Sequence, residues 1–367
     1  MSYSSSNVRE RSTSKSNSGS RSQTHGQLHT HTHQIGLVTK ISTEVSQNKP
    51  VPISYMSVAT NHAFPTYPNI EEINKTTSLF VEYEQTLTPQ ERRQFLRRKR
   101  YQDMSIVPGS EVCLNDGTLI EGSVITPDVF ACSAPIISEQ GRFWRCVLER
   151  DISLIVSLTP WVENGVLKAD IYYSPMASTV KKFDKITVMT NSDITTEVST
   201  ECKIDLRQSN IKIMQLVVSD TENNITKTVH HLHYTGWADR SVPSTNDMFS
   251  LMIVYSKLAG FNNPVHKKTL VHCSAGLGRT GVFLTLCTAI TQINEDFARD
   301  NLDGSIDVRQ IVVDLRRRRL GLVQTQEQMN FVVECICVYI KWVLSGKTLK
   351  LIPMKVPLTP VKTGGNS

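Results

Sequence analysis

One stretch decides the fold of this chain: His272-Cys273-Ser274-Ala275-Gly276-Leu277-Gly278-Arg279-Thr280. Residues 269–271 ahead of it are apolar and β-prone, and the residues behind it begin an apolar run long enough for a buried helix. A strand, a glycine-bearing loop and a helix in this order direct successive backbone N–H groups at an anion. The stretch therefore predicts an anion-binding loop between a buried strand and a buried helix.

Cys273 stands at the start of this loop. The backbone dipoles and the charge of Arg279 both favour a thiolate, so we expect the thiol to ionise at neutral pH. The same amides and the planar fork of Arg279 can hold a phosphoryl group against the sulfur. Thr280 can donate a hydrogen bond to the sulfur when it acts as a leaving group. The alternative is a buried structural cysteine beside a glycine turn, which the spacing of Cys, five residues, Arg and Thr disfavours.

The stretch resembles the signature loop of the cysteine-dependent protein tyrosine phosphatases, and further matches follow in that family's order. The resemblance covers residues 75–345, the usual size of one domain. It implies a highly twisted mixed β-sheet flanked by helices, whereas the residue pattern alone indicates only mixed α/β character. By the same resemblance His272 would support the loop, and the phosphate would be bound by Ser274, Ala275, Gly276, Leu277 and Gly278.

Residues 233–243 form a second match, HYTGWADRSVP. They resemble the family's mobile Trp-Pro-Asp loop, with Asp239 in the general-acid position and Trp237 at the hinge. Such an acid protonates the leaving tyrosyl oxygen and then accepts a proton from the water that hydrolyses the phosphocysteine. Ala238 replaces the family's proline, so we expect a looser equilibrium between the open and closed loop. An ordinary loop aspartate is the alternative for Asp239.

Two shorter segments resemble loops that the family uses around its pocket. In residues 99–103 Tyr101 would lie against the phenyl ring of the substrate, and Asp103 would bond backbone amides of the substrate peptide. In residues 321–328 Gln324 would orient the attacking water, with Gln328 as its neighbour. The alternatives are that Tyr101 is an aromatic residue of an interface and that the two glutamines are merely solvated at the start of a helix.

Residues 163–168 resemble the loop whose glutamate pairs with the signature arginine. Glu163 would hold Arg279 in its fork geometry, and Lys168 would approach Asp239. The basic run 316–319 matches the family's pattern in part and is also a candidate for contact with acidic flanks of a peptide.

Three segments depart from the family. Residues 133–135 read Ser-Ala-Pro for Gln-Gly-Pro, residues 172–175 read Tyr-Tyr-Ser-Pro where Tyr-Trp-Pro is usual, and Gly-Ser at 122–123 stands near the usual Asn-Ala-Ser. These positions support packing around the pocket, so we expect them to affect substrate affinity more than chemistry.

Amino-acid composition indicates what kind of segments flank this domain. Residues 1–74 are rich in polar residues and predict a disordered tail, as do residues 346–367. The histidine-rich tract at residues 25–33 is a weak metal candidate. The chain has no apolar run long enough for a bilayer and no signal-peptide core. Eight irregularly spaced cysteines do not resemble a disulfide framework.

A catalytic thiol requires a reducing compartment, so we expect a cytoplasmic protein, with the nucleus as an alternative. We expect a monomer that acts on phosphotyrosine-containing proteins. No metal or cofactor is needed, because the loop and Arg279 supply the positive field. Much of the net charge of +6 lies in the two predicted tails, and the sequence shows no motif for reading nucleic-acid bases.

Hydrophobic spacing predicts helices at 245–258, 305–319 and 325–344, and an amphipathic region at 80–98 that is interrupted near Pro89. Strands are predicted at 154–158, 211–218 and 269–271.

Two functions from different classes remain at this level. The first is an active phosphotyrosine hydrolase. The second is a phosphotyrosine-binding module whose turnover is weak because Ala238 spoils loop closure. A lipid or phosphoserine phosphatase is a third, which Tyr101 disfavours.

Overall fold

The computed structural model describes residues 52–60, 66–80, 82–260 and 267–349. Within these ranges the strands are β1 (Ile53–Ser54), β2 (Glu111–Cys113), β3 (Leu119–Thr126), β4 (Val129–Cys132), β5 (Ile152–Ser157), β6 (Val162–Glu163), β7 (Val166–Leu167), β8 (Thr179–Phe183), β9 (Ile186–Asp193), β10 (Ile211–Asp220), β11 (Ile225–Tyr234), β12 (Lys268–His272) and β13 (Ser305–Ile306). The α-helices are α1 (Tyr55–Thr60), α2 (Ile70–Thr77), α3 (Pro89–Arg97), α4 (Gln140–Glu149), α5 (Thr195–Cys202), α6 (Thr245–Ala259), α7 (Gly278–Ala298), α8 (Val308–Arg316) and α9 (Gln326–Leu344).

Nine strands form one mixed sheet in the order β2-β3-β4-β12-β5-β11-β10-β9-β8. The central strands β4, β12, β5 and β11 run parallel, and the strands on either side are antiparallel. Strand β12 lies between β4 and β5, with Leu270 and Val271 buried. All residues of β12 after Lys268 are buried, as expected of a parallel strand that is covered on both faces. The loop after β12 therefore leaves the sheet at the shared carboxyl edge of the parallel strands, where open α/β sheets usually bind ligands.

Helices cover both faces of the sheet, as the predicted fold class requires. Helices α6, α7, α8 and α9 pack into one apolar core, and α4 contributes Phe143, Trp144 and Val147 to a second core. Helix α7 carries the apolar run that follows the signature loop, and its residues from Gly278 to Cys287 are all buried.

Helix ends follow the local capping signals. Helix α6 begins after Ser244, whose hydroxyl accepts from the Asp247 amide, and ends at Gly260 with φ +76°. Helix α9 begins after Thr325, which caps the Gln328 amide. Both predicted helices are confirmed to within a residue or two, as are the three predicted strands to within two residues.

Two predicted helical regions are shorter than expected. The region 305–319 begins as strand β13, because Ile306 pairs with Ile53, and the helix starts only after the Asp307 cap. The region 80–98 contains a short 3₁₀ helix at Tyr83–Gln85, and its α-helix starts only at Pro89, behind a capping box formed by Thr88 and Glu91. Caps and a strand partner therefore set boundaries that hydrophobic spacing alone does not.

The folded part of the chain begins before the predicted boundary at residue 75, so the prediction of a tail through residue 74 is wrong for its last part. Strand β1, α1 and α2 pack onto the domain, and the Tyr55 hydroxyl donates to Asp296 of α7 at 2.7 Å. The apolar residues that dock, Ile53, Tyr55 and Ile73 among them, are too sparse to stand out in a polar composition. At the other end Leu349 is still buried. The remainder of both predicted tails, with the histidine tract, lies outside the described residues.

Replacing Tyr55 with phenylalanine should lower the free energy of unfolding by about 1–2 kcal/mol, because the Asp296 carboxylate loses a partly buried donor. Urea unfolding followed by circular dichroism measures this change. Tyr67→Phe is the matched control, since Tyr67 is 43% exposed. Equal unfolding midpoints for the two variants would show that this bond does not hold α1 on the domain.

Candidate active site

Residues 273–277 link the end of β12 to the start of α7, and their carbonyl groups are held from outside the loop. Buried Arg319 donates to the Gly276 oxygen at 2.9 Å and to the Ala275 oxygen at 3.0 Å. The Ser133 hydroxyl also donates to the Ala275 oxygen, and the Ala134 amide donates to the Ser274 oxygen. The carbonyl groups are thereby occupied on the outer side, which leaves loop amides directed at the sulfur of Cys273.

Two glycines allow this loop to pack closely on its neighbours. Gly276 has φ +68°, and a β-carbon there would lie 2.0 Å from the Cys132 oxygen. A β-carbon on Gly281, in the first turn of α7, would lie 2.2 Å from the Val323 nitrogen. Neither position accepts a larger residue without backbone movement.

The environment of Cys273 favours its thiolate, although the side chain is only 3% exposed. Burial is the largest influence and opposes ionisation, but Arg279 and hydrogen bonds from the Thr280 side chain and from the Thr280 and Leu277 amides outweigh it and lower the pKa. The Thr280 hydroxyl has no nitrogen or oxygen partner among the described residues. Burial raises the pKa of Cys146 to about 12 and raises those of the other six cysteines.

Arg279 is 1% exposed and is the centre of the site. Its Nη1 donates to the Trp237 oxygen at 2.7 Å and lies 3.6 Å from Glu163 Oε2. Its Nη2 lies 3.3 Å from Asp239 Oδ1. The structure thus brings Glu163, Trp237 and Asp239, each at least 40 positions from Arg279 in sequence, around one guanidinium.

The segment 237–241, here called the acid loop, lies against this arginine. The Asp239 amide donates to Glu163 Oε1 at 2.6 Å, and Asp239 Oδ2 lies 2.7 Å from Lys168 Nζ. Within the loop the buried Trp237 indole donates to the Ser241 oxygen at 2.8 Å. Burial works to raise the pKa of Asp239, but Lys168 and Arg279 together lower it. The carboxylate is therefore ionised while it touches these two cations.

Tyr101 reaches the loop through Ser274. The Ser274 hydroxyl donates to the Lys168 oxygen at 2.6 Å, so the Tyr101 hydroxyl is the donor in its 2.8 Å bond to Ser274 Oγ. Asp103 lies on the same segment as Tyr101, with its side chain exposed. Tyr101 is thus placed at the loop, whereas no contact positions Asp103 within the described residues.

Gln324 and Gln328 lie over the first turn of α7. A β-carbon on Gly278 would lie 2.7 Å from Gln324 Oε1 and 3.0 Å from Gln328 Nε2. The Gln324 amide donates to Gln328 Oε1 at 2.9 Å. Both side chains are therefore beside the loop that follows Cys273.

Behind the loop, His272 belongs to a buried chain of hydrogen bonds that the sequence did not indicate. Its Nδ1 donates to the Cys273 oxygen at 3.0 Å, and its Nε2 lies 2.6 Å from the Tyr172 hydroxyl. The same hydroxyl lies 2.6 Å from His231 Nε2. Burial lowers the pKa of His272 to about 4, so the ring is neutral at physiological pH. The neutral His272 ring carries its proton on Nδ1, so its Nε2 accepts a hydrogen bond from the Tyr172 hydroxyl. The oxygen of that hydroxyl in turn accepts from His231 Nε2.

Three arginines of the basic run 316–319 are buried and the fourth, Arg317, pairs with Asp314 at 2.6 Å, so the run is not free to contact a peptide, contrary to one of the expectations from sequence. Arg316 is buried and donates to the Leu322 and Val323 oxygens. Arg319 is buried and pairs with Glu121 at 2.8 Å as well as with the loop carbonyls. Glu121 is a residue that the sequence analysis missed, since nothing in its neighbours suggests a buried carboxylate.

The fold is shared with a solved structure of PTPN18 in complex with HER2-pY1196 phosphopeptides. The two chains superpose with a TM-score of 0.61 at 20% identity, over 73% of this chain and 90% of that one. The family model for protein-tyrosine phosphatases matches residues 95–338. The chain belongs to the protein-tyrosine phosphatase family.

Curated relatives agree with this assignment. The chain is 30% identical over 254 residues to tyrosine-protein phosphatase 3 of Dictyostelium discoideum, which is 65% of this chain and 24% of that protein. It is 29% identical over 206 residues to mouse tyrosine-protein phosphatase non-receptor type 20, covering 56% of this chain and 43% of the relative. It is 27% identical over 245 residues to rat tyrosine-protein phosphatase non-receptor type 2, covering 64% of this chain and 54% of the relative. The match thus spans between a quarter and about half of these relatives. Among the described residues no helix is both long and apolar enough to cross a bilayer.

Removing the Thr280 hydroxyl should raise the pKa of Cys273, because the thiolate loses a hydrogen-bond donor. In Thr280→Ala the rate of alkylation of Cys273 by iodoacetamide should therefore rise with pH later than in the parent, as followed by mass spectrometry of the Cys273 peptide. Thr285→Ala is the control, since Thr285 is buried in the same helix and bonds only the Gly281 oxygen in α7. A Thr280→Ala profile that coincides with the parent's would contradict the assigned bond.

Proposed function

We propose that this chain hydrolyses phosphotyrosine in proteins through a phosphocysteine intermediate, with Cys273 as the nucleophile. The observation that carries the proposal is the position of Cys273 at the start of the loop that leads into the buried Arg279 of α7. The charge of Arg279 and the donors around the sulfur lower the pKa of this thiol, alone among the chain's eight cysteines. Family membership supports the reaction class. The phosphopeptide bound in the PTPN18 structure supports phosphotyrosine-containing segments as substrates.

In the first step the Cys273 sulfur attacks phosphorus, so that an S–P bond forms and the bond from phosphorus to the tyrosyl oxygen breaks. Arg279 and the loop amides hold the equatorial oxygens, where charge is redistributed in the transition state. Asp239 gives its proton to the tyrosyl oxygen. A bound phosphoryl group adds negative charge beside Arg279, and this raises the pKa of Asp239 from its low value in the free site.

In the second step water attacks phosphorus, the S–P bond breaks and Cys273 leaves as a thiolate. Asp239, now a carboxylate, takes a proton from the water, and Gln324 orients that water with Gln328 as its neighbour. Thr280 donates to the departing sulfur. Each of these groups lies at the loop, so one site serves both steps.

The walls of the site support an aryl phosphate. Tyr101 is tied to the loop through Ser274, so its ring can flank the phenyl ring of phosphotyrosine. A phosphoserine side chain is shorter than a phosphotyrosine side chain, so its phosphorus would not reach Cys273 when the peptide backbone lies at the rim. Asp103, exposed on the rim, would bond amides of the substrate backbone.

The extent of the domain, its oligomeric state and its compartment complete the proposal. Residues 53–349 would form the catalytic domain, and the protein would act as a monomer in the cytoplasm, where Cys273 stays reduced.

Replacing Cys273 with serine should abolish turnover of phosphotyrosine peptides while peptide binding persists, because a serine hydroxyl does not ionise in this field. Phosphate release from matched phosphotyrosine and phosphoserine peptides, with calorimetric binding to the serine variant, tests this. Cys287→Ser is the control, a buried cysteine in α7 whose pKa is raised. Hydrolysis by Cys273→Ser above the rate without enzyme would overturn the covalent mechanism. Binding without hydrolysis by the parent chain would instead indicate a phosphotyrosine-binding module.

Asp239→Asn should lower kcat on a phosphotyrosine peptide by about 10²–10⁴-fold, the usual loss of a general acid. The loss should shrink on an aryl phosphate with an acidic leaving phenol, since that oxygen barely needs a proton. Steady-state kinetics on both substrates give the two ratios. Asp205→Asn, an exposed aspartate paired with Arg207 outside the site, serves as the control. Parent-like kcat for Asp239→Asn on the peptide would show that Asp239 is not the acid.

A further inference from the structure

Arg240 directly follows Asp239, the proposed general acid, and its positive charge is not paired with an acidic side chain among the described residues. It has φ +58°, an uncommon conformation for a residue with a β-carbon, and its side chain is exposed. It makes no hydrogen bond or ion pair with any residue in the described part of the chain. The acid loop therefore carries a positive charge that no acidic side chain of the described residues pairs with.

The other cations that contact the site are already paired. Arg279 contacts Glu163 and Asp239, and Lys168 contacts Asp239. Beside Tyr101, Arg100 pairs with Asp170. The arginines of the 316–319 run that reach the loop are buried against carbonyl groups. Arg240 is thus the available basic group at this position, and the run that the sequence suggested for acidic flanks is not.

Three hydrogen bonds hold the backbone of the acid loop around Arg240. The Trp237 oxygen is held by Arg279, the Asp239 amide by Glu163, and the Ala238 oxygen accepts from the Ser241 hydroxyl at 2.9 Å. Consecutive Cα atoms are about 3.8 Å apart. The Arg240 backbone is therefore held directly beside that of Asp239, and the Arg240 charge acts on the Asp239 carboxyl, whose pKa it helps to lower.

We propose that Arg240 is a specificity-determining residue that favours substrates with acidic side chains next to the phosphotyrosine. The inference rests on the proposed function, because it takes the phosphotyrosine to lie between Cys273 and Asp239. An extended peptide advances about 3.3–3.6 Å per residue, so residues one or two positions from the phosphotyrosine come within range of the Arg240 charge. A glutamate there meets an exposed cation that has no competing partner.

The test compares two phosphotyrosine peptides that carry glutamate or glutamine at the positions flanking the phosphotyrosine. For the parent chain, kcat/KM should favour the glutamate peptide by about two- to five-fold per acidic residue, the range of exposed ion pairs. Arg240→Gln should bring this ratio close to one, and Arg240→Glu should invert it. The parent's ratio should also fall as salt is raised.

Lys185→Gln is the control for the loss of one positive charge. Lys185 lies in the turn between β8 and β9 and pairs with Glu222, at the end of the sheet opposite the signature loop. Its ratio should match the parent's. An unchanged ratio in Arg240→Gln, or an equal fall in both variants, would overturn the inference. So would a loss of kcat in Arg240→Gln that is equal for both peptides, since Arg240 would then act on the loop alone.

Binding separates this inference from the proposed function. Dissociation constants of the same two peptides are measured on Cys273→Ser with and without Arg240→Gln. If the parent fails to hydrolyse either peptide but a preference for the glutamate peptide disappears with Arg240→Gln, the proposed function is wrong and the role of Arg240 stands. If hydrolysis occurs and neither binding nor kcat/KM distinguishes the peptides, only the role of Arg240 is overturned. If neither peptide is bound or hydrolysed, both proposals are overturned.

Discussion

The rest of the site depends on one buried charge, the guanidinium of Arg279. A charge that is 1% exposed must be surrounded by partners, because desolvation without compensation is costly. Those partners are Glu163, the Trp237 oxygen and Asp239, and the same charge lowers the pKa of Cys273. The arginine that would bind phosphate thus also holds the acid loop in contact with the signature loop.

Two further buried guanidinium groups hold the framework around this centre. Arg319 occupies the outer carbonyl groups of the signature loop, and Arg316 occupies those that precede Gln324. Each spreads one charge over several oxygen acceptors, which a planar fork of donors allows and a lysine would not. The guanidinium groups and the backbone around the loop are therefore held in place before substrate binds. A substrate phosphate would meet donors and positive charge that are preorganised.

The Trp-Ala-Asp sequence of the acid loop does not prevent its contact with the site. The proline that the family usually carries would restrict the backbone at position 238. In this chain hydrogen bonds supply restraint: the Ala238 oxygen accepts from Ser241, and Glu163 and Lys168 hold Asp239. Such bonds can be broken singly, so we expect the loop to open more readily than it would with a proline at position 238. In the proposed mechanism, the lowered pKa of Asp239 in the free site would make proton donation depend on the arrival of phosphate.

The sequence by itself determined what is encoded locally: the strand, loop and helix around Cys273, the caps of α6 and α9, and the order of the family's motifs. It could not determine contacts between residues far apart. Arg319 and Glu121 are 198 positions apart, and Arg319, from a run considered for contact with acidic flanks of a peptide, instead supports the loop. Tertiary structure also decided that residues from Ile53 onward belong to the fold, because a few scattered apolar side chains gain their stability only from the core they meet.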